Sequence, residues 1–90
     1  MSPLEQLFAL EIEFHYKLRC EAPGTADPSA LHTSYALQSG YESLLRQLGR
    51  VTVQDIDRLV NRLTLAGDTR DVLAARDSLT RLLGLWPYEA

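Results

Sequence analysis

The segment from Leu4 to Cys20 is apolar on two sides of a helix, and this feature constrains the fold more than any other. Successive helical residues are separated by roughly 100°, which sorts the apolar side chains into two stripes. One stripe holds Leu4, Leu7, Leu10, Phe14 and Leu18, and the other holds Phe8, Ala9, Ile12 and Tyr16. A surface helix needs only one stripe. We therefore expect this helix either to be central in its own bundle or to be covered by another chain.

Helix-start signals recur along the chain and agree with the apolar pattern. Ser2-Pro3 and Asp27-Pro28 each place a capping side chain before a proline at the first helical position, and Thr52 precedes Asp55 by three residues. Another start lies at residues 68–69, and glycines follow the apolar segments. These signals predict helices at about residues 3–21, 28–48, 53–66 and 69–83, and an aromatic tail at 85–90.

The second predicted helix has one apolar seam and one interruption. The seam consists of Leu37, Tyr41, Leu44 and Leu48, which follow a 4-3-4 spacing. Gly40 lies inside this seam and costs about 1 kcal/mol relative to alanine within a helix. The pattern does not distinguish a close helix contact from a bend at that point.

No segment alternates in the manner of a strand, so the sequence predicts an all-α protein, a small four-helix or three-plus-one antiparallel bundle. Ninety residues with 46% hydrophobic and 23% charged residues fit a single domain, residues 1–90. The apolar runs are too short to cross a bilayer, and the N-terminus does not resemble a signal peptide. We expect a cytoplasmic protein without a membrane association. Cys20 is the single cysteine, which excludes an internal disulfide.

Glu11 lies within the first apolar stripe and is the one candidate for unusual chemistry. A carboxylate buried there would have a raised pKa unless an arginine met it. The structural alternatives are a surface ladder of Glu11, His15 and Arg19, or an ion pair with an arginine of the second or third predicted helix. We favour these alternatives, because no second acid or base lies at a predictable spacing, and expect no enzymatic activity and no catalytic residue. His15 and His32 form no local ligand pair, so neither a metal site nor a cofactor is predicted.

Two further sequence patterns indicate alternative functions. The last two predicted helices resemble a helix-turn-helix, for which phosphate contacts would come from Arg46, Arg50, Arg58, Arg62, Arg70, Arg76 and Arg81. Asp68, Asp71 and Asp77 would repel the phosphates, which makes nucleic-acid binding the second choice. Asp77-Ser78-Leu79 is similar to the tripeptide of acyl carrier proteins, but it lies too near the end of the chain for that family.

The second stripe of the first helix and the aromatic tail exceed what one small core needs. Aromatic anchors dominate protein interfaces. We therefore expect a non-enzymatic protein-protein interaction module whose partner is another protein or a second copy of the chain. An adaptor, a chaperone and a phage-type inhibitor all fit this description. Most of the basic residues are arginines, which hints at a bacterial or phage source. No small-molecule substrate is evident. The predicted partner-binding residues are Phe8, Ile12, Tyr16, Trp86 and Tyr88.

Overall fold

The computed structural model describes residues 2–21, 23–24, 26–66 and 69–85, and the chain is all-helical across them. Its elements are α1 (Pro3–Glu21), α2 (Pro28–Ser39), α3 (Tyr41–Gln47), α4 (Val53–Ala66) and α5 (Thr69–Leu82). The described residues contain no strand. The predicted fold class, all-α, is confirmed. None of the described helices combines the length and apolar character that a bilayer-spanning segment requires.

Helix α1 is the central element, packing against α2, α3 and α5. Its buried residues are Leu7 and Phe14 of the first predicted stripe, Glu11, which lies within that stripe, and Phe8 of the second stripe. Because helices pack on several sides of α1, residues of both stripes are needed inside the chain. The protein's own core thus accounts for most of the first stripe and for Phe8 and Ile12 of the second, whereas Ala9 and Tyr16 are exposed.

Three of the four predicted helix starts are confirmed by capping hydrogen bonds. Ser2 Oγ accepts from the backbone N–H of Glu5 at 3.2 Å, and Asp27 Oδ1 accepts from that of Ala30 at 3.1 Å. At α4 the cap is reciprocal: Thr52 Oγ1 accepts from the Asp55 N–H at 3.2 Å, and Asp55 Oδ2 accepts from the Thr52 N–H at 2.9 Å. Such caps satisfy N–H groups that a helix leaves unpaired at its start.

The second predicted helix is wrong as a single element, because Gly40 divides it into α2 and α3. Gly40 has φ 75°, in the left-handed region, and its N–H donates to the Ala36 carbonyl as α2 ends. Glycine adopts this conformation without the penalty that a Cβ brings. The change of direction separates Leu37 from the predicted seam. Tyr41 is buried, whereas Leu37 is 76% exposed.

The core is completed by α4 and α5, which pack against each other as well. Their buried apolar residues are Ile56, Leu59, Val72, Ala75 and Leu79. Leu82, at the last position of α5, is 45% exposed. Beyond it Gly84 adopts φ 74°, and the Leu85 N–H donates to the Thr80 carbonyl at 2.8 Å. This is the Schellman form of helix ending, and the chain turns away there.

Helix α2 is the exception in this packing, because none of its residues is buried. It contacts α1 and α3 from the outside. A helix without a buried face contributes little hydrophobic stabilisation, so its position depends on the few side chains that reach inward.

Candidate functional site

A fully buried carboxylate, that of Glu11, lies where α1, α2 and α3 meet. Its Oε1 accepts a hydrogen bond from the Tyr41 hydroxyl and another from His32 Nε2, both at 2.6 Å. Its Oε2 has no hydrogen-bond partner among the described residues, although His15 Nε2 lies 3.5 Å away. The contact with His15 is therefore electrostatic rather than a hydrogen bond.

The environment of Glu11 keeps it ionised. Burial alone raises the pKa of a carboxyl group, but contacts with His15, Tyr41 and His32 outweigh this effect and hold the pKa of Glu11 below its usual value. Burial also raises the pKa of Tyr41, and its bond to the Glu11 carboxylate raises it further. A buried anion thus accepts bonds from two other helices, and removing any donor would leave it poorly solvated. Of the two structural alternatives, the i, i+4 contact of Glu11 with His15 is present, but it is buried rather than on the surface, and the remaining contacts come from Tyr41 and His32 instead of an arginine.

His15 connects this buried group to α5. Its Nε2 lies 2.7 Å from Ser78 Oγ and also faces the Glu11 carboxylate. Because an ionised carboxylate offers only lone pairs, Nε2 is favoured to carry its hydrogen and to donate to Ser78. In a catalytic triad the carboxylate instead binds the other ring nitrogen, and Nε2 accepts the serine proton. The arrangement therefore orients Ser78 but does not activate it as a nucleophile.

Aromatic rings surround the inner side of α2. The Phe14 ring lies 4.9 Å from the His32 ring, in an edge contact, and 5.5 Å from the Tyr35 ring. The His32 ring also contacts the Tyr41 ring edge-on, with centroids 5.6 Å apart. Such pairs contribute beyond the area they bury. Together with the bond from His32 to Glu11, these contacts hold α2 on the surface of the bundle.

Two pockets adjoin along α2, and we call them together the α2–α5 cleft. The His15 pocket, about 490 Å³, lies between α1, α2 and the end of α5, and its lining includes Leu18, His15, Ser78 and Arg81. The Leu37 pocket, about 530 Å³, lies between α2 and α3, and its lining includes Ala36, Leu37, Tyr41, Leu45 and Arg46. The residues common to both are His32, Thr33 and Leu82.

The charges that line the cleft are mainly positive, although the chain has a net charge of −3. Arg81 and His15 lie in the His15 pocket, Arg46 lies in the Leu37 pocket, and His32 lines both. Glu42 is the acidic lining residue, and it forms an ion pair with Arg46. A cleft of this kind favours an occupant with negative charge.

The predicted partner-binding residues do not all lie on the surface of the structure. Phe8 is fully buried in the core, and Ile12 is partly buried against it. Phe8 therefore does not reach the surface. Tyr16 is half-exposed, and the Arg19 guanidinium carbon lies 5.5 Å from its ring centroid. Trp86 and Tyr88 lie outside the described residues.

The cleft residues were not predicted as a site. The sequence pattern predicts that Leu37 belongs to a buried seam. The interruption at Gly40 is the one signal in the sequence that could have indicated an exposed Leu37 instead. The sequence pattern singles out Ser78 only as a member of the Asp77-Ser78-Leu79 tripeptide. Its contact with His15 joins residues 63 positions apart, which no local pattern can show.

Several arginines of the helix-turn-helix alternative form ion pairs within the chain. Arg62 reaches Glu5 on α1 at 3.0 Å, and Arg76 reaches its neighbour Asp77 at 2.9 Å. Asp71 is buried and accepts two hydrogen bonds from Arg19, at 2.8 and 3.2 Å, which lower its pKa. These pairs reduce the positive charge that α4 and α5 present, and DNA binding stays an untested prediction.

No group of three or more histidine, cysteine, aspartate or glutamate residues is arranged to hold a metal ion in the described part of the chain. No protein-family model matches the sequence, and comparisons with curated proteins and with solved structures found no match. The function must therefore be inferred from the geometry of the chain itself.

Proposed function

We propose that this chain is a protein-binding module that takes an amphipathic helix of a partner protein into the α2–α5 cleft. The observation that carries the proposal is the exposure of apolar residues around two adjoining pockets. Leu37 is largely exposed and Leu82 is nearly half-exposed there, and the two pockets have volumes typical of binding sites. A helix with leucine-like residues at i, i+3 and i+4 spacing would cover them.

The charge of the cleft selects the occupant. Arg46 and Arg81 lie in different pockets, and the acidic lining residue Glu42 already pairs with Arg46. An acidic amphipathic helix complements this pattern, whereas a second copy of this chain would have to bring its own acidic apolar helix. The described helix with the most exposed apolar side chain, α4 with Leu65, carries Asp55 and Asp57 against Arg58 and Arg62 and so is not an acidic helix. We therefore commit to a different protein as the partner.

Binding would owe its affinity to the burial of leucine side chains against Leu37 and Leu82. Each fully buried leucine contributes about 1.5–3 kcal/mol. The arginines would set the orientation and the association rate of the partner helix. The buried network beneath the cleft holds α2 in place, which keeps the two pockets formed before the partner arrives.

A displayed library of amphipathic helical peptides tests the proposal without knowledge of the partner. Selection on the wild-type protein is expected to enrich peptides with spaced leucines and acidic residues. The enriched peptides should bind Leu37→Asp and Leu82→Asp at least about tenfold more weakly, because the new carboxylate is both polar and repulsive.

Leu65→Asp is the matched control, since Leu65 is 91% exposed on α4 and lies away from the cleft lining. It should bind the peptides as the wild type does. Enrichment of basic peptides, no enrichment, or equal sensitivity to all three substitutions would each contradict the proposal. Light scattering of the protein alone supplies a second check, because a stable dimer broken by Leu37→Asp would identify a second copy as the occupant and overturn our choice.

Two finer features belong to the same proposal. Only residues 67–68 separate α4 from α5, and the two helices pack together, which supports an antiparallel arrangement within a bundle. Cys20 carries an exposed free thiol, which supports a reducing compartment such as the cytoplasm.

A further inference from the structure

The His15 pocket differs from the Leu37 pocket in its polar groups. His15, Ser78 and Arg81 line it beside the apolar residues Phe14 and Leu18. A pocket with an apolar body and a few convergent polar groups is suited to a ligand with a defined polar end. The chemistry of that end follows from the hydrogen bonds beneath the pocket.

Ser78 is the key group because His15 determines what its hydroxyl can do. The Glu11 carboxylate lies 3.5 Å from His15 Nε2, which favours a hydrogen on that nitrogen. The nitrogen then donates to Ser78 Oγ across 2.7 Å, so the serine oxygen acts as an acceptor toward the histidine. The serine hydroxyl keeps one hydrogen to donate. The pocket therefore offers a donor at Ser78.

Arg81 adds a second donor to the same pocket. It follows Ser78 by three residues on α5, a spacing that places both side chains on one side of the helix. Its guanidinium has five N–H donors in a planar fork that matches the two oxygens of a carboxylate. A serine hydroxyl and an arginine fork in one pocket are suited to an acceptor with negative charge.

We propose that the His15 pocket binds a single aspartate or glutamate carboxylate of the partner helix, held by the Ser78 hydroxyl and the Arg81 guanidinium. This inference rests on the proposed function and names the polar anchor of that interaction. The leucine side chains of the partner then occupy the Leu37 pocket. The carboxylate fixes which way round the helix lies in the cleft, because the serine of the Leu37 pocket, Ser43, accepts from the Gln47 amide at 3.3 Å and has no histidine beside it comparable to His15 at Ser78.

The probe is the tightest-binding selected peptide, synthesised with an amidated C-terminus so that only side chains supply carboxylates. Each of its acidic residues is replaced in turn by the matching amide, and binding is measured by calorimetry. One replacement should weaken binding about tenfold, the size expected of a charged hydrogen-bonded contact. Arg81→Gln should weaken the unmodified peptide by a similar factor.

A double-mutant cycle separates this pairing from general electrostatics. When the protein carries Arg81→Gln, the amide replacement that weakens binding to the wild type should cause no further loss of affinity, because the contact it removes is already absent. Against Arg46→Gln, the matched change in the Leu37 pocket, it should still weaken binding about tenfold. Ser78→Ala should behave like Arg81→Gln, and Ser43→Ala, in the Leu37 pocket lining, should behave like the wild type.

A second pair of probes tests the pocket without any peptide. We expect 4-methylpentanoate, a carboxylate on a leucine-like body, to shift the amide signals of residues 78–82, and 4-methylpentanamide to shift them much less. The Arg81→Gln protein should lose this difference.

The outcomes distinguish the two proposals. If every amide replacement leaves peptide affinity unchanged, or if the two small probes act alike, the carboxylate anchor is wrong even though a Leu37-dependent peptide still supports the docking site. If no Leu37-dependent peptide is found, the docking proposal is wrong. A carboxylate-specific response from the small probes would then reassign the pocket to a free acid and overturn the partner helix as its source.

Discussion

The Tyr41 hydroxyl donates a 2.6 Å hydrogen bond to Glu11 Oε1, and both side chains are closed off from solvent. This bond joins α3 to the middle of α1, just after the turn at Gly40. It fixes the first residue of α3 against the core and, through the shared carboxylate, against His32 of α2. The position of α2, and with it the shape of the cleft, depends on this buried group.

Glu11→Gln is expected to lower the free energy of unfolding by about 2–3 kcal/mol. The amide replaces one acceptor oxygen by a donor, while Tyr41, His32 and His15 all present donors to this position. Urea unfolding at neutral pH measures the change. Glu13→Gln is the control, since Glu13 is half-exposed and its contacts are with Lys17 and the Tyr35 hydroxyl, for which a glutamine oxygen is still an acceptor, so its change should stay below about 1 kcal/mol. A Glu11→Gln protein as stable as the wild type would show that burial of the charge outweighs its hydrogen bonds.

Tyr41→Phe is expected to cost about 2 kcal/mol, because it removes one charged hydrogen bond and keeps the ring contact with His32. The same urea experiment reports the loss. Tyr16→Phe removes a hydroxyl from a half-exposed ring and should change stability by less than about 0.5 kcal/mol. Equal effects of the two substitutions would contradict the assigned role of Tyr41.

Stability should fall in acid, and Glu11 should account for part of the slope. The folded pKa of Glu11 lies below its ordinary value of 4.5, so the unfolded chain takes up the proton at a higher pH than the folded chain does. The stabilisation is therefore complete above that value and is lost as the pH falls through the folded pKa. Urea midpoints between about pH 7 and about pH 3 measure it. The Glu11→Gln protein should show a shallower decline, and an unchanged decline would contradict the linkage.

Gly40→Ala is expected to destabilise the protein by about 1 kcal/mol, because alanine is strained at φ 75°. Gly49→Ala is a matched control. A Cβ at either position meets nothing within 4 Å, but among the described glycines Gly49 is not one of those with positive φ. It should be neutral or slightly stabilising. Equal effects of the two changes would show that backbone conformation at Gly40 is not the cause. Thermal unfolding of the two variants provides the comparison.

The sequence pattern was sufficient for the elements whose signals are local. The starts at Ser2, Asp27 and Thr52 depend on side chains and N–H groups three residues apart, and all three were predicted. The inner faces of α4 and α5 follow from periodicity alone. Gly40 was recognised as an interruption, but periodicity does not tell whether a glycine inside a helix adopts positive φ.

The site depends on contacts that periodicity cannot show. Glu11 was recognised as an acid within an apolar stripe, yet its partners are Tyr41 and His32, which lie 30 and 21 residues further along the chain. Whether these two side chains reach Glu11 depends on how the helices of the bundle pack together. The exposure of Leu37 follows from the same tertiary arrangement, and so does the cleft.

Amide chemical-shift mapping of the isotope-labelled protein with the tightest-binding selected peptide tests the central claim most directly. The account predicts that the largest shifts fall in residues 29–37, 41–46 and 78–82, which line the α2–α5 cleft. It also predicts that the shifts disappear for Leu37→Asp and persist for Leu65→Asp. Shifts centred on α4 around Leu65, or on α1 around Tyr16, would place the partner elsewhere and contradict the account.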